Sequence, residues 1–142
     1  MGRWTVLESI ALADCALEVE GHDLDDLFAT AAQALADLMV DPATVPTTVT
    51  RAVEIAAPSL DLLLYDWLSE LIFLKDSERL VFPGAEVSVR EDGQWTAVAR
   101  LSGGPIDRER TALRADPKAL TFHQFAIEPG GLGWRARLVI DI

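Results

Sequence analysis

The chain has 142 residues, 50 % of them hydrophobic, which suits a single domain with a full core and leaves little scope for disorder. Its net charge of −11 and pI of about 4.4 exclude a stand-alone nucleic-acid binder, which needs a basic face against phosphates, but allow a cation site or a basic protein partner. One cysteine excludes an internal disulfide, no apolar run approaches the ~20 residues of a membrane helix, and the start MGRWTVLESI lacks signal-peptide and myristoylation patterns, so a cytoplasmic protein without membrane attachment is expected.

The first strand pattern is DCALEVEG, residues 14–21. Cys15, Leu17 and Val19 share one face, and Asp14, Ala16, Glu18 and Glu20 the other. A helix follows, with Leu24, Leu27, Phe28, Ala31, Leu35 and Leu38 at helical spacing. Asp23 is its expected N-cap, Asp25 and Asp26 favour the positive end of its dipole, and Asp41-Pro42 ends it. TVTRAVEIA then alternates, with Val49, Arg51, Val53 and Ile55 in phase. Pro58 and Ser59 open a second helix whose wide apolar stripe, including Leu64, Trp67, Leu68 and Leu71, predicts deep burial against a sheet.

The rest reads mostly as strand. EVSVR and WTAVARL flank Asp92-Gly93, a strong hairpin signal; SGGPID reads as loop. KALTFHQFAIE and WRARLVIDI flank the turn PGGLG. The order predicts an α+β fold of two layers, one domain over residues 1–142, with two helices packed on one face of a mostly antiparallel sheet.

No nucleophile elbow, phosphate loop, zincin motif or paired C-x-x-C is present. Cys15 reads as a small core residue. His22 is expected to face water, and His123, inside LTFHQF, to be hydrogen-bonded scaffolding. Lys118 opens a strand pattern, where lysine is usually a surface residue. The carboxylates carry more. Asp14 lies opposite Cys15, Leu17 and Val19, and Asp141 lies opposite Leu138, Ile140 and Ile142. As residues alone they read either as two solvated strand-end aspartates or, joined by the terminal carboxylate of Ile142, as a hard oxygen site for Ca²⁺ or Mg²⁺.

Four segments carry a resemblance to the archease family over essentially the whole chain. ALADCALEVEGHDLDDLF resembles a motif H-T-A-D, a short strand, Gly and an acidic helix start. LKDSERLVF, with Asp76, resembles H-D-x-E-x-L-V-F, and PKALTFHQF resembles V-K-A-[IVL]-T-[YF]-H. The chain closes on VIDI, similar to the family's final D-I. The resemblance implies that Asp14 and Asp141, with Ile142, form a divalent-cation site for Ca²⁺, Mg²⁺ or Mn²⁺, and that Lys118 is functionally important. It adds Asp76 and His123 with less weight. It also implies a non-catalytic accessory role toward an RtcB-type RNA ligase of tRNA splicing and RNA repair, which joins ends through a guanylylated histidine of its own and needs Mn²⁺. The accessory protein promotes that guanylylation and repeated turnover, without stable nucleic-acid binding of its own. Four positions depart from the pattern: Ala11-Leu12 replaces His-Thr, Lys75 replaces the histidine before Asp76, and Thr111 stands where a further histidine is common. A chaperone or general modulator role is the alternative. A metal-dependent hydrolase built on Asp14, Asp141 and a bound water is third, lacking a general base other than His123.

Overall fold

The computed structural model describes residues 2–7 and 14–142; Ala11 and Leu12 lie outside the described residues. Seven strands and two helices run in the order β1 (Arg3–Val6), β2 (Asp14–Gly21), α1 (Leu24–Met39), β3 (Val49–Ala57), α2 (Leu60–Glu78), β4 (Leu80–Asp92), β5 (Gln94–Pro105), β6 (Ala119–Gly130) and β7 (Gly133–Asp141). The α+β class holds. The antiparallel strands divide into two sheets, ordered β1-β2-β7-β6 and β3-β5-β4. Strand β1 had no separate signal in the sequence.

Helix α1 starts where its acidic cap directs it. The Asp23 carboxylate accepts the Asp26 N–H at 2.8 Å, and the Asp26 carboxylate accepts the His22 N–H at 2.8 Å. This reciprocal arrangement satisfies two donors outside the helical ladder. Asp25 of the same turn accepts the backbone N–H of Val89 at 2.7 Å, tying β4 to the helix start. Helix α2 buries Leu63, Leu64, Trp67, Leu68, Leu71 and Ile72. Trp67 is fully buried, and its indole N–H donates to the Phe28 carbonyl at 3.0 Å, so the largest core side chain also joins the two helices. On the other flank, the Tyr65 hydroxyl donates to the Leu120 carbonyl at 3.1 Å and holds α2 to β6. Cys15 packs in the core with Leu17, Val19, Leu138 and Ile140, as its face predicts.

The hairpin at Gly93 forms as expected, with φ of 75° at the glycine. The segment SGGPID does not form the expected loop. Ser102–Pro105 continue β5, with Gly103 opposite Val49 and Gly104 opposite Val81. The glycines are there because backbone passes against them: a Cβ at Gly103 would stand 2.0 Å from the Val81 carbonyl oxygen, and one at Gly104 2.1 Å from that of Pro46. A glycine pair signals close approach in a strand as readily as it signals a turn.

Gly103→Ala is accordingly expected to destabilise the domain by about 1–3 kcal/mol in urea unfolding, the usual range for overpacking. Gly84→Ala, whose added Cβ would have no neighbour nearer than 3.4 Å, should cost much less.

Candidate functional site

The site is built on the ladder between β2 and β7. These strands lie more than a hundred residues apart in sequence and pair antiparallel over their whole length, from Asp14 opposite Asp141 to Gly21 opposite Trp134. Directly opposed residues share a face, with Cβ atoms about 4.5–5.5 Å apart. The core-facing row holds Cys15 opposite Ile140, Leu17 opposite Leu138 and Val19 opposite Ala136. The other row holds Asp14 opposite Asp141, Ala16 opposite Val139, Glu18 opposite Arg137 and Glu20 opposite Arg135. Acidic residues thus face arginines at one end of the row, though the ion pairs of Glu20 and Arg135 go to Arg3 and Glu128, and two aspartates face each other at the other end. Asp14, Asp141 and Ile142 are all half-buried.

Strand β6 brings the third motif to the same end. Ala119 pairs with Asp141, and the backbone N–H of Lys118 donates to the Asp141 carbonyl at 2.7 Å. Lys118 itself is exposed. The first, third and last motifs therefore meet at one sheet end. The two aspartates are donors of the right chemistry for a hard cation, since opposed carboxylates at this spacing can share one ion at 2.3–2.6 Å. Among the described residues no group of three or more His, Cys, Asp or Glu side chains converges here or elsewhere.

The second motif reaches the corner through a lysine. Lys75, 7 % exposed near the end of α2, donates to the Asp116 carboxylate and the Pro117 carbonyl, and pairs with Asp76 at 2.9 Å. Its ammonium thus has three acceptors for three donors. It pins the residues just before Lys118, so Lys75 supports the corner from below while Asp76 sits exposed beside it. Thr111 is buried, and its hydroxyl accepts the Asp107 N–H at 2.9 Å. His123 is exposed, inside an irregular stretch of β6 between Thr121 and Ala126, where Gln124 takes a φ of 59°. Among the described residues no hydrogen bond of its side chain corresponds to the expected scaffolding role. Burial pushes the Cys15 thiol up from its ordinary value, the reverse of what a nucleophile needs.

Along the same row, Glu20 pairs with Arg3 of β1. The hydrogen bond to Arg3 holds the Glu20 carboxyl below its ordinary value against the opposing effect of burial, with further help from the charges of Arg3 and Arg135.

The profile of the Archease protein family (MTH1598/TM1083) matches residues 4–142. The chain belongs to the archease family. A protein archease of Archaeoglobus fulgidus is 36 % identical over 92 % of this chain and 93 % of its own length, and one of Pyrococcus abyssi is 34 % identical over the whole of both. The solution structure of Methanobacterium thermoautotrophicum protein 1598 superposes with a TM-score of 0.80 at 29 % identity, covering 98 % of each chain. The crystal structure of a Thermotoga maritima archease, described as a possible chaperone, shares the fold with a TM-score of 0.61 at 19 % identity over 93 % of each chain. No described helix of this archease is long and apolar enough to cross a membrane.

Two predictions follow from the corner's wiring. Lys75→Met should destabilise the domain by about 1–3 kcal/mol in chemical unfolding, because the Pro117 carbonyl loses its donor. For Glu20, a folded value below the unfolded one of about 4.3 means its contribution is present above that pH and is lost as pH falls through the folded value. Glu20→Gln should therefore melt at lower temperature than wild type at pH 6–7, with the gap closing as pH falls below about 4.

Proposed function

We propose that this archease is a cytoplasmic accessory activator of an RtcB-type RNA ligase, and that Asp14, Asp141 and Lys118 are the residues it presents to that partner. The observation that carries the reading is the convergence of the three motifs. Asp14 is the register partner of Asp141, and Asp141 accepts the N–H of Lys118, in a chain matched to the family from residue 4 to residue 142.

The chemistry favours an accessory role over an enzymatic one. Facing like charges across an antiparallel pair costs stability, about 0.2–1 kcal/mol for an exposed pair. A divalent cation shared by Asp14 and Asp141, with the Ile142 carboxylate as a third oxygen donor, offsets that cost and suits Ca²⁺, Mg²⁺ or Mn²⁺. Bound there, the ion would supply positive charge to a phosphate or to a carboxylate of the partner. The chain's own part is to hold oxygen donors at fixed spacing and to offer the Lys118 ammonium beside them. The one cysteine, Cys15, packs in the core with Leu17 and Ile140. The covalent guanylylation step remains the ligase's, and this chain assists it.

A chaperone role would draw on exposed apolar surface. The large exposed hydrophobics among the described residues are Val6, Phe73, Val98, Leu113 and Phe122, which belong to five different segments of the chain.

With ligase limiting, the wild-type protein should raise the number of RNA joining events per ligase, while Asp141→Asn and Lys118→Ala, both folded, should leave it near the ligase-alone value. Stimulation that survives both substitutions would remove the site from the reading, and an active ligase indifferent to the wild type would remove the reading itself. In calorimetry without partner, Ca²⁺ should raise the wild-type Tm by mass action. Asp141→Asn should lose that rise while melting no lower than wild type in EDTA.

A further inference from the structure

A second concave site lies on the far part of α2, where the acidic protein gathers positive charge. A cleft of about 410 Å³ is lined by Lys75, Arg79, Arg108 and Arg114, four of the chain's 12 lysines and arginines, together with Asp76 and Asp116. The charges are unequal in availability. Lys75 is consumed by Asp76, Asp116 and the Pro117 carbonyl. Arg114 pairs with Asp37 at 3.1 Å and donates to the Asp37 carbonyl at 2.8 Å. Arg79 and Arg108 have no ion pair or side-chain hydrogen bond among the described residues, and both are exposed. The cleft therefore holds two uncompensated guanidiniums in a protein of net charge −11.

Arg79 also stands where the backbone would prefer another residue. It ends α2 at φ 56° and ψ 43°, with its N–H on the Leu74 and Lys75 carbonyls, the left-handed position that glycine usually fills. Arginine accepts strain there that glycine would not, so the side chain must return something. Nothing among the described protein groups receives it.

The remaining wall is apolar: Met39, Val40, Ile106 and the exposed Leu113. The volume falls in the range of small-molecule sites, roughly 300–1,000 Å³, and greatly exceeds what a lone tetrahedral anion fills. Guanidinium forks match phosphate oxygens in pairs. We propose that this cleft binds a small organic phosphate, with the phosphate on Arg79 and Arg108 and the organic part on the apolar wall formed by Met39, Ile106 and Leu113. The site is separate from Asp14 and Asp141, and its occupancy does not require the ligase reading.

The test is a heteronuclear NMR titration of the full chain with adenosine monophosphate, inorganic phosphate and adenosine as probes. Adenosine monophosphate should give saturable shifts at Val40, Ile106 and Leu113, and should bind more tightly than either fragment. Arg79→Gly relieves the backbone strain, so it should melt no lower than wild type yet weaken the nucleotide at least about tenfold; Arg108→Gln should do the same to binding. The proposal is overturned if adenosine monophosphate gives no saturable shifts in the cleft. It is equally overturned if Arg79→Gly and Arg108→Gln bind as wild type does, or if inorganic phosphate or adenosine alone binds as well as the nucleotide.

Discussion

In an antiparallel sheet a slip of one residue sends every side chain to the other face, and a slip of two moves every pairing along the strand. The β2–β7 ladder is the constraint on which the rest of this archease depends. In its observed register the apolar row of β2, with Cys15, Leu17 and Val19, meets Ile140, Leu138 and Ala136. The opposite row then sets Glu18 and Glu20 against Arg137 and Arg135. Both rows agree on one alignment, which makes the register unambiguous. The pairing of Asp14 with Asp141 is what that alignment leaves at the end of the strands. A shift that separated the aspartates would also misplace the opposite charges and the core residues. The pairing of the two aspartates is thus fixed by the core row of the same ladder.

The second support is the buried ammonium of Lys75. Helix α2 contributes its apolar face to the core, and near its end it turns one cation toward Asp116 and Pro117. A buried lysine without partners would be costly; this one has an acceptor for each of its protons. The consequence is positional. The residues preceding Lys118 are fastened to a helix, and the N–H of Lys118 is fastened to β7, so an exposed, flexible side chain leaves from a backbone held at both ends. The family pattern has a histidine where this chain has Lys75. The longer side chain reaches the entry to β6 and brings three N–H donors there.

How far the sequence discloses this depends on whether a feature is local. The alternation of WRARLVIDI, the cap at Asp23 and the turn at Gly93 are local, and each forms as the pattern predicts. The meeting of Asp14 with Asp141 joins β2 to the last strand of the chain, and periodicity carries no information about which strands pair. Only the family resemblance pointed there. The Gly103-Gly104 pair was misread as a loop because backbone approach from Val81 and Pro46 is a tertiary fact. The division into two sheets is likewise a matter of pairing. The basic cleft was missed for a related reason: its cations arrive singly from α2 and from the segment between β5 and β6, so no basic run marks it. One local signal was available, an arginine at the end of a helical pattern where glycine is expected.

The acidic corner and the basic cleft share a wall. Asp116 lines the cleft, Pro117 accepts from Lys75, and Lys118 donates to the strand that bears Asp141. Residues 116–118 thus run from the cleft to the acidic corner, and Lys75 fastens their first two to α2. An anion on Arg79 and Arg108 would compete with Asp116 for the cleft's positive charge. A cation at Asp14 and Asp141 would relieve the repulsion at the opposite edge. The two sites therefore lie at opposite ends of one short segment, whose start Lys75 holds to α2 and whose end the Lys118 N–H holds to β7.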